Sequence, residues 1–119
     1  MITTTEDKEV VRDFLKAVNM TATRLKKWLE TDESRQVGFK GDDGGESVGH
    51  RSGRRIISLL GKKQADLTAG DLRHMKKVTG YVHRHLAQKP GGDVRETPWR
   101  YSLMNWGCDP LARKRSKKR

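Results

Sequence analysis

Apolar residues recur along this chain at helical rather than strand spacing. Over residues 6–18, Val10, Val11, Phe14, Leu15 and Val18 fall on one arc, with Glu9, Arg12, Asp13 and Lys16 opposite. This is the pattern of an amphipathic helix. Asn19-Met20-Thr21 interrupts it, and Thr21 is placed to N-cap a second helix over 22–31 carrying Leu25, Trp28 and Leu29. Residues 33–46 hold Gly38, Gly41, Gly44 and Gly45 and predict a loop. A third helix is predicted over 47–60, with Val48, Ser52, Ile56, Leu59 and Leu60 on one face and Gly61 as its C-cap. Gly49 and Gly53 lie on that same face. Each glycine costs about 1 kcal/mol in a helix interior. The pair signals either close packing against another helix or a frayed first turn, the helix beginning only near Ser52.

Thr68-Ala69-Gly70-Asp71 has the form of a capping box. It predicts a fourth helix over 69–88, ended by Pro90 and Gly91-Gly92, with Leu72, Met75, Val78, Thr79, Val82 and Leu86 on its apolar arc. Trp99, Leu103 and Trp106 predict a short last helix over 99–106, stopped by Asp109-Pro110. No stretch alternates with a strand period, and no segment repeats. The expected fold is all-α: a single small domain of four to five helices over 6–111. Residues 1–5 are expected to be flexible and 112–119 to form a disordered basic tail. No run approaches the ~18 apolar residues of a membrane span. Met1 to Asp7 lacks the basic and apolar regions of a signal peptide. One cysteine, Cys108, excludes an internal disulfide and suits a reducing compartment.

Charge sharpens this picture, because the net +11 is unevenly placed. Residues 1–49 carry 8 Lys/Arg against 10 Asp/Glu, whereas residues 50–89 carry 10 against 2. On the fourth helix Arg73, Lys76, Lys77 and Arg84 oppose the apolar arc, with Gly80 and Ala87 among them and no acid after Asp71. Four like charges within about 17 Å of helix repel one another unless a partner neutralises them. The third helix repeats the theme with Arg51, Arg54 and Arg55, and Lys62 and Lys63 join the two. The tail adds Arg113, Lys114, Arg115, Lys117, Lys118 and Arg119. Such a stretch and tail suit a polyanion, and DNA is the expected partner. Phosphate contacts carry no sequence information, and only Gln88 offers an amide near this arc, so weak sequence specificity is expected. The expected location is nucleoid-associated cytoplasm in a bacterium or the nucleus in a eukaryote.

Charge does not separate DNA from RNA. A different class of function is a protein-interaction module for an acidic partner, with the near-neutral first two helices as its working surface and the tail as a localisation signal. The plain structural alternative is a basic face that only solvates the protein. No enzyme, cofactor or metal is expected. His74 and His85 share one edge of the fourth helix with Tyr81 but lie about 16 Å apart, too far to share an ion. Asp42-Asp43-Gly44-Gly45 lacks the alternating carboxylates of a calcium loop. Cys108 has no second cysteine and no histidine at ligand spacing. Asp66 and Asp71 are too few acids for a metal-dependent nuclease. Trp28, Trp99 and Trp106 can stack bases, but their helical spacing with Leu25, Leu29 and Leu103 points to the core.

Four stretches carry a resemblance. They are Asn19-Met20-Thr21 with Trp28-Leu29-Glu30-Thr31; Glu46-Ser47-Val48-Gly49-His50-Arg51-Ser52-Gly53-Arg54-Arg55-Ile56; His74-Met75-Lys76-Lys77-Val78-Thr79-Gly80-Tyr81-Val82-His83-Arg84-His85-Leu86-Ala87-Gln88; and Trp99-Arg100-Tyr101-Ser102-Leu103-Met104-Asn105-Trp106-Gly107. Together they resemble a family of small uncharacterised proteins of bacteria and fungi, often labelled only as DNA-binding. The resemblance spans roughly residues 8–111 and leaves out the tail. It implies DNA binding without a mechanism. That family usually has His at the position of Cys108.

Overall fold

The computed structural model describes residues 4–38 and 46–112. The predicted Asp42–Gly45 turn and the basic residues of the tail lie outside them. The fold is all-α, with helices α1 (Thr5–Ala17), α2 (Ala22–Leu29), α3 (Asp32–Gln36), α4 (Val48–Leu60), α5 (Ala69–Leu86) and α6 (Pro98–Asn105). A single 3-10 turn, Gln64–Asp66, joins α4 to α5. No strand occurs among the described residues.

Each of these six α-helices starts on a hydroxyl. Thr4, Thr21, Thr31, Ser47, Thr68 and Thr97 each accept a hydrogen bond from the backbone N–H three residues on, which satisfies a donor the helix cannot. The expected capping box is present in full, Thr68 and Asp71 bonding reciprocally at the head of α5. Two expectations need correction. The predicted 33–46 loop begins with a helical turn, α3, because Thr31 caps it and Asp32 and Glu33 favour its N-terminus. The predicted 22–31 helix ends at Leu29, since Thr31 is spent on that next cap.

The helices assemble as two pairs, α1 on α5 and α2 on α4, with α6 packed across both. Phe14, Val18, Met20, Leu25, Ile56, Val78, Val82 and Leu103 are fully buried at the centre. Leu15 and Leu86, assigned to apolar arcs from sequence, are exposed at the edges of α1 and α5. The α6 chain end turns back at Gly107, whose φ of +83° places it in the left-handed region. There the Cys108 N–H bonds the Leu103 carbonyl and the Gly107 N–H bonds the Met104 carbonyl. This double bond pattern closes the helix as a Schellman motif.

Gly53 resolves the choice left open by the α4 glycines in favour of close packing. A Cβ there would stand 2.6 Å from the Asn105 carbonyl oxygen and 2.9 Å from a Leu29 methyl. The helix begins at Val48, without a frayed first turn. The Gly53→Ala variant gains about 1 kcal/mol of helix propensity but meets backbone that has no room to yield. Overpacking costs about 1–3 kcal/mol, so the variant should be destabilised by a net of up to about 2 kcal/mol, as read by its urea midpoint.

Candidate nucleic-acid interface

The basic residues of α4 and α5 divide into those that carry an acidic partner and those that do not. Glu46, just before the α4 cap, takes Arg54 in a two-pronged pair, Nε to Oε2 at 2.9 Å and Nη2 to Oε1 at 2.6 Å. It also meets His50 Nδ1, with Arg51 nearer its edge at 3.9 Å. The Arg54 guanidinium holds the Glu46 carboxyl down to about 2, against a smaller opposing effect of burial. Asp71 plays the same part at the head of α5. Its Oδ2 accepts from Lys62 Nζ at 2.5 Å, and its Oδ1 from Arg55 Nη2 at 3.3 Å. Lys62 chiefly, with the Thr68 N–H, holds its carboxyl well below the usual carboxylate range. Thus Arg54, Arg55 and Lys62 are partly neutralised within the fold. Glu46 as a counter-charge was not read from the sequence, because eight positions separate it from Arg54.

Arg73, Lys77 and Arg84 are different. They are exposed and have no ion-pair partner among the described residues. Their spacing of four and seven places them on one stripe of α5. At its N-terminal end Arg73 meets the α4 surface. A Cβ on Gly70 would lie 3.6 Å from Arg73 Nη2 and 3.8 Å from Arg55 Nη2, so the two guanidiniums share one patch. At its other end, Lys77 and Arg84 border the N-terminal turn of α4 and the face of α6. Arg84 folds back over Gly80, with Nη1 3.2 Å from where a Cβ would stand. Lys76 sits apart, facing a groove shared with Glu6 and Asp7 of α1. Lys63 is exposed at the 3-10 turn. Arg113, Lys114, Arg115, Lys117, Lys118 and Arg119 lie outside the described residues.

The expected edge residues of α5 form a continuous aromatic stack. His74 lies 6.3 Å from Trp106, Trp106 4.3 Å from Tyr81, Tyr81 5.1 Å from His85, and His85 6.2 Å from Trp99, centre to centre. All four pairs are within 18° of parallel. The indoles therefore pin α6 to α5 rather than standing free for bases. Trp99 Nε1 donates to the His85 carbonyl at 2.7 Å, and Trp28 Nε1 to Asn105 Oδ1 at 2.7 Å. Ser52 Oγ and His74 Nε2 share a hydrogen bond at 2.9 Å, tying α4 to α5.

Burial pushes the pKa of both stacked histidines down, and for His74 the charges of Arg55 and Lys77 add to it. The unfolded chain therefore takes up protons first. The stability contributed by neutral His74 and His85 is whole above about pH 6.5 and falls as pH drops below it. Urea midpoints should decline between about pH 7 and pH 5, and His74→Asn should flatten that decline. Cys108 is buried, and burial with the neighbouring Asp109 charge pushes its thiol up to about 11. A thiol so placed stays protonated at neutral pH and is a poor nucleophile.

No group of His, Cys, Asp and Glu among the described residues is arranged to hold a metal ion. No helix there is long and apolar enough to cross a membrane. Comparison with curated proteins and with solved structures finds no match. A family model described as "Protein of unknown function (DUF3140)" matches residues 13–104, from the middle of α1 to the last turn of α6. With that match over most of its length, the chain belongs to the DUF3140 family.

Proposed function

We propose that this protein binds nucleic acid, duplex DNA in the first place, through the Arg73–Lys77–Arg84 stripe of α5, with Arg55 and Lys63 at its α4 end and the basic tail as a second contact. One observation carries this reading: the stripe keeps three exposed cations with no carboxylate partner among the described residues, while their neighbours Arg54, Arg55 and Lys62 are matched by Glu46 and Asp71. The stripe runs about 16 Å along the helix axis, close to five base-pair steps of one strand. Its contacts are to phosphate, and the aromatic rings, which could stack on bases if free, are spent on packing, so binding is weakly sequence-specific. Such a protein would work at the nucleoid of a bacterium or in the nucleus of a eukaryote.

The direct experiment is a titration of the full chain with duplex DNA, structured RNA and polyglutamate, followed by fluorescence anisotropy at low salt. Duplex DNA should bind more tightly than polyglutamate of equal charge. The reverse order would favour an acidic protein partner, and preference for structured RNA would move the reading to RNA.

A further inference from the structure

A cavity of about 260 Å³ opens between the first turn of α4, the middle of α5 and α6. Val48, Gly49, Tyr81 and Trp106 form its wall, and Lys77 and Arg84 border it. No acidic residue is among the described residues that line it. Three features point to a ligand. First, Lys77 and Arg84 border it without carboxylate partners among the described residues. Second, Trp106 is 4% exposed and its indole N–H has no acceptor among the described residues, while those of Trp28 and Trp99 are both bonded. That nitrogen lies 2.8 Å from where a Cβ on Gly49 would sit. Glycine at 49 thus leaves the donor uncovered at the cavity wall. Third, Val48 and Gly49 are the first residues of α4, where backbone N–H groups have no intrahelical acceptor and the helix dipole favours an anion.

The charge and the donors require an acceptor-rich anion. The apolar wall and the volume require a small flat body, since a cavity of about 150 Å³ already admits one benzene ring. We propose that this cavity is a binding site for a small aromatic carboxylate, its ring against Val48 and the edge of Tyr81 and its carboxylate among Lys77, Arg84 and the Trp106 N–H. Such a site makes the α5 stripe responsive to a metabolite, because the ligand occupies two of its cations; this last consequence rests on the preceding reading, whereas the site does not.

The test uses the full ¹⁵N-labelled chain, benzoate as probe, and no nucleic acid. The three indole N–H resonances are followed by NMR. The Trp106 signal should shift saturably while those of Trp28 and Trp99 stay in place, with a Kd in the range of about 0.1–5 mM for a ligand of about nine heavy atoms. Benzamide, the neutral isostere, should bind about tenfold more weakly, and acetate, which lacks the ring, should not saturate in this range. Lys77→Gln and Arg84→Gln are exposed changes that leave the fold intact, and the double variant should lose at least about tenfold in benzoate affinity. The proposal is overturned if the Trp106 signal does not saturate with benzoate up to about 20 mM, well past that range. It is equally overturned if benzamide binds as well as benzoate, or if the double variant binds benzoate unchanged.

Discussion

The Asp109→Ala variant is expected to lose about 3–5 kcal/mol of folding stability, the cost of breaking a buried charged cluster by removing one partner. Asp109 is 2% exposed. Its carboxylate accepts from Arg100 Nε and Nη2 at 3.1 Å each, from Arg24 Nη2 at 2.8 Å and from the Leu111 N–H at 3.0 Å. The backbone is held as well. The Asp109 N–H donates to Asn19 Oδ1 at 2.8 Å, and Asn19 Nδ2 donates to the Asp109 carbonyl at 2.9 Å. One residue thus ties the α1–α2 turn, α2 and α6 to the end of the domain. Burial pushes its carboxyl up, but Arg100, the Leu111 N–H and Arg24 outweigh that and hold it below the usual carboxylate range. The stabilisation is therefore present above about pH 4 and lost as pH falls through that region.

Against a typical total of 5–15 kcal/mol, such a loss is a large share. Calorimetry should show Tm lowered by about 10–20 °C. Asp109→Asn keeps the shape and should fall by less. An unchanged Tm for the alanine variant would mean that Arg100 and Arg24 find equivalent partners in water and that this junction does not hold the domain together.

The parts of the fold that follow local rules were legible in the sequence. Thr21 and Thr68 announced their helices because a hydroxyl followed by a periodic apolar run has one physical use. Thr31 did not, because α3 has no apolar run behind it; its one fully buried side chain, Ser34, is polar and donates to Asn105 Oδ1 at 2.6 Å. Asn105 escaped notice, and Asp109 was read only as a helix stop, for a related reason. Each is a polar residue buried through partners 71 to 90 positions away, and no periodicity reports such a distance. The glycines of α4 were half legible. Their cost in a helix signalled a reason, but only the structure shows that Asn105, Leu29 and Trp106 supply it.

The basic stripe was legible as a pattern of charge. Its division was not, since the acids that quench Arg54, Arg55 and Lys62 lie 8 to 16 positions away. The cavity was invisible, because Gly49, Lys77 and Trp106 meet only through the packing of α4, α5 and α6.

Changing Arg73, Lys77 and Arg84 together to Glu is expected to weaken duplex DNA binding by at least about a hundredfold at low salt. Each change removes one cation and adds one anion on a single face, and phosphate contacts supply most of a non-specific affinity. The fold should survive. All three side chains are exposed and without ion pairs among the described residues, and surface changes of this kind usually cost within about 0.5 kcal/mol. An unchanged Tm for the triple variant therefore belongs with the loss of affinity. The equivalent reversal of Arg54, already matched by Glu46, should weaken binding far less.

The decisive measurement is the slope of log K against log salt for duplex DNA, taken on the full chain and on the triple variant. With about six phosphates contacted by the stripe, its α4 end and the tail, the unaltered protein should give a slope near −5, and the variant, left with about three, a slope near −2 to −3. Equal slopes and equal affinities for the two proteins would contradict the account, leaving whatever binding remains to the tail alone.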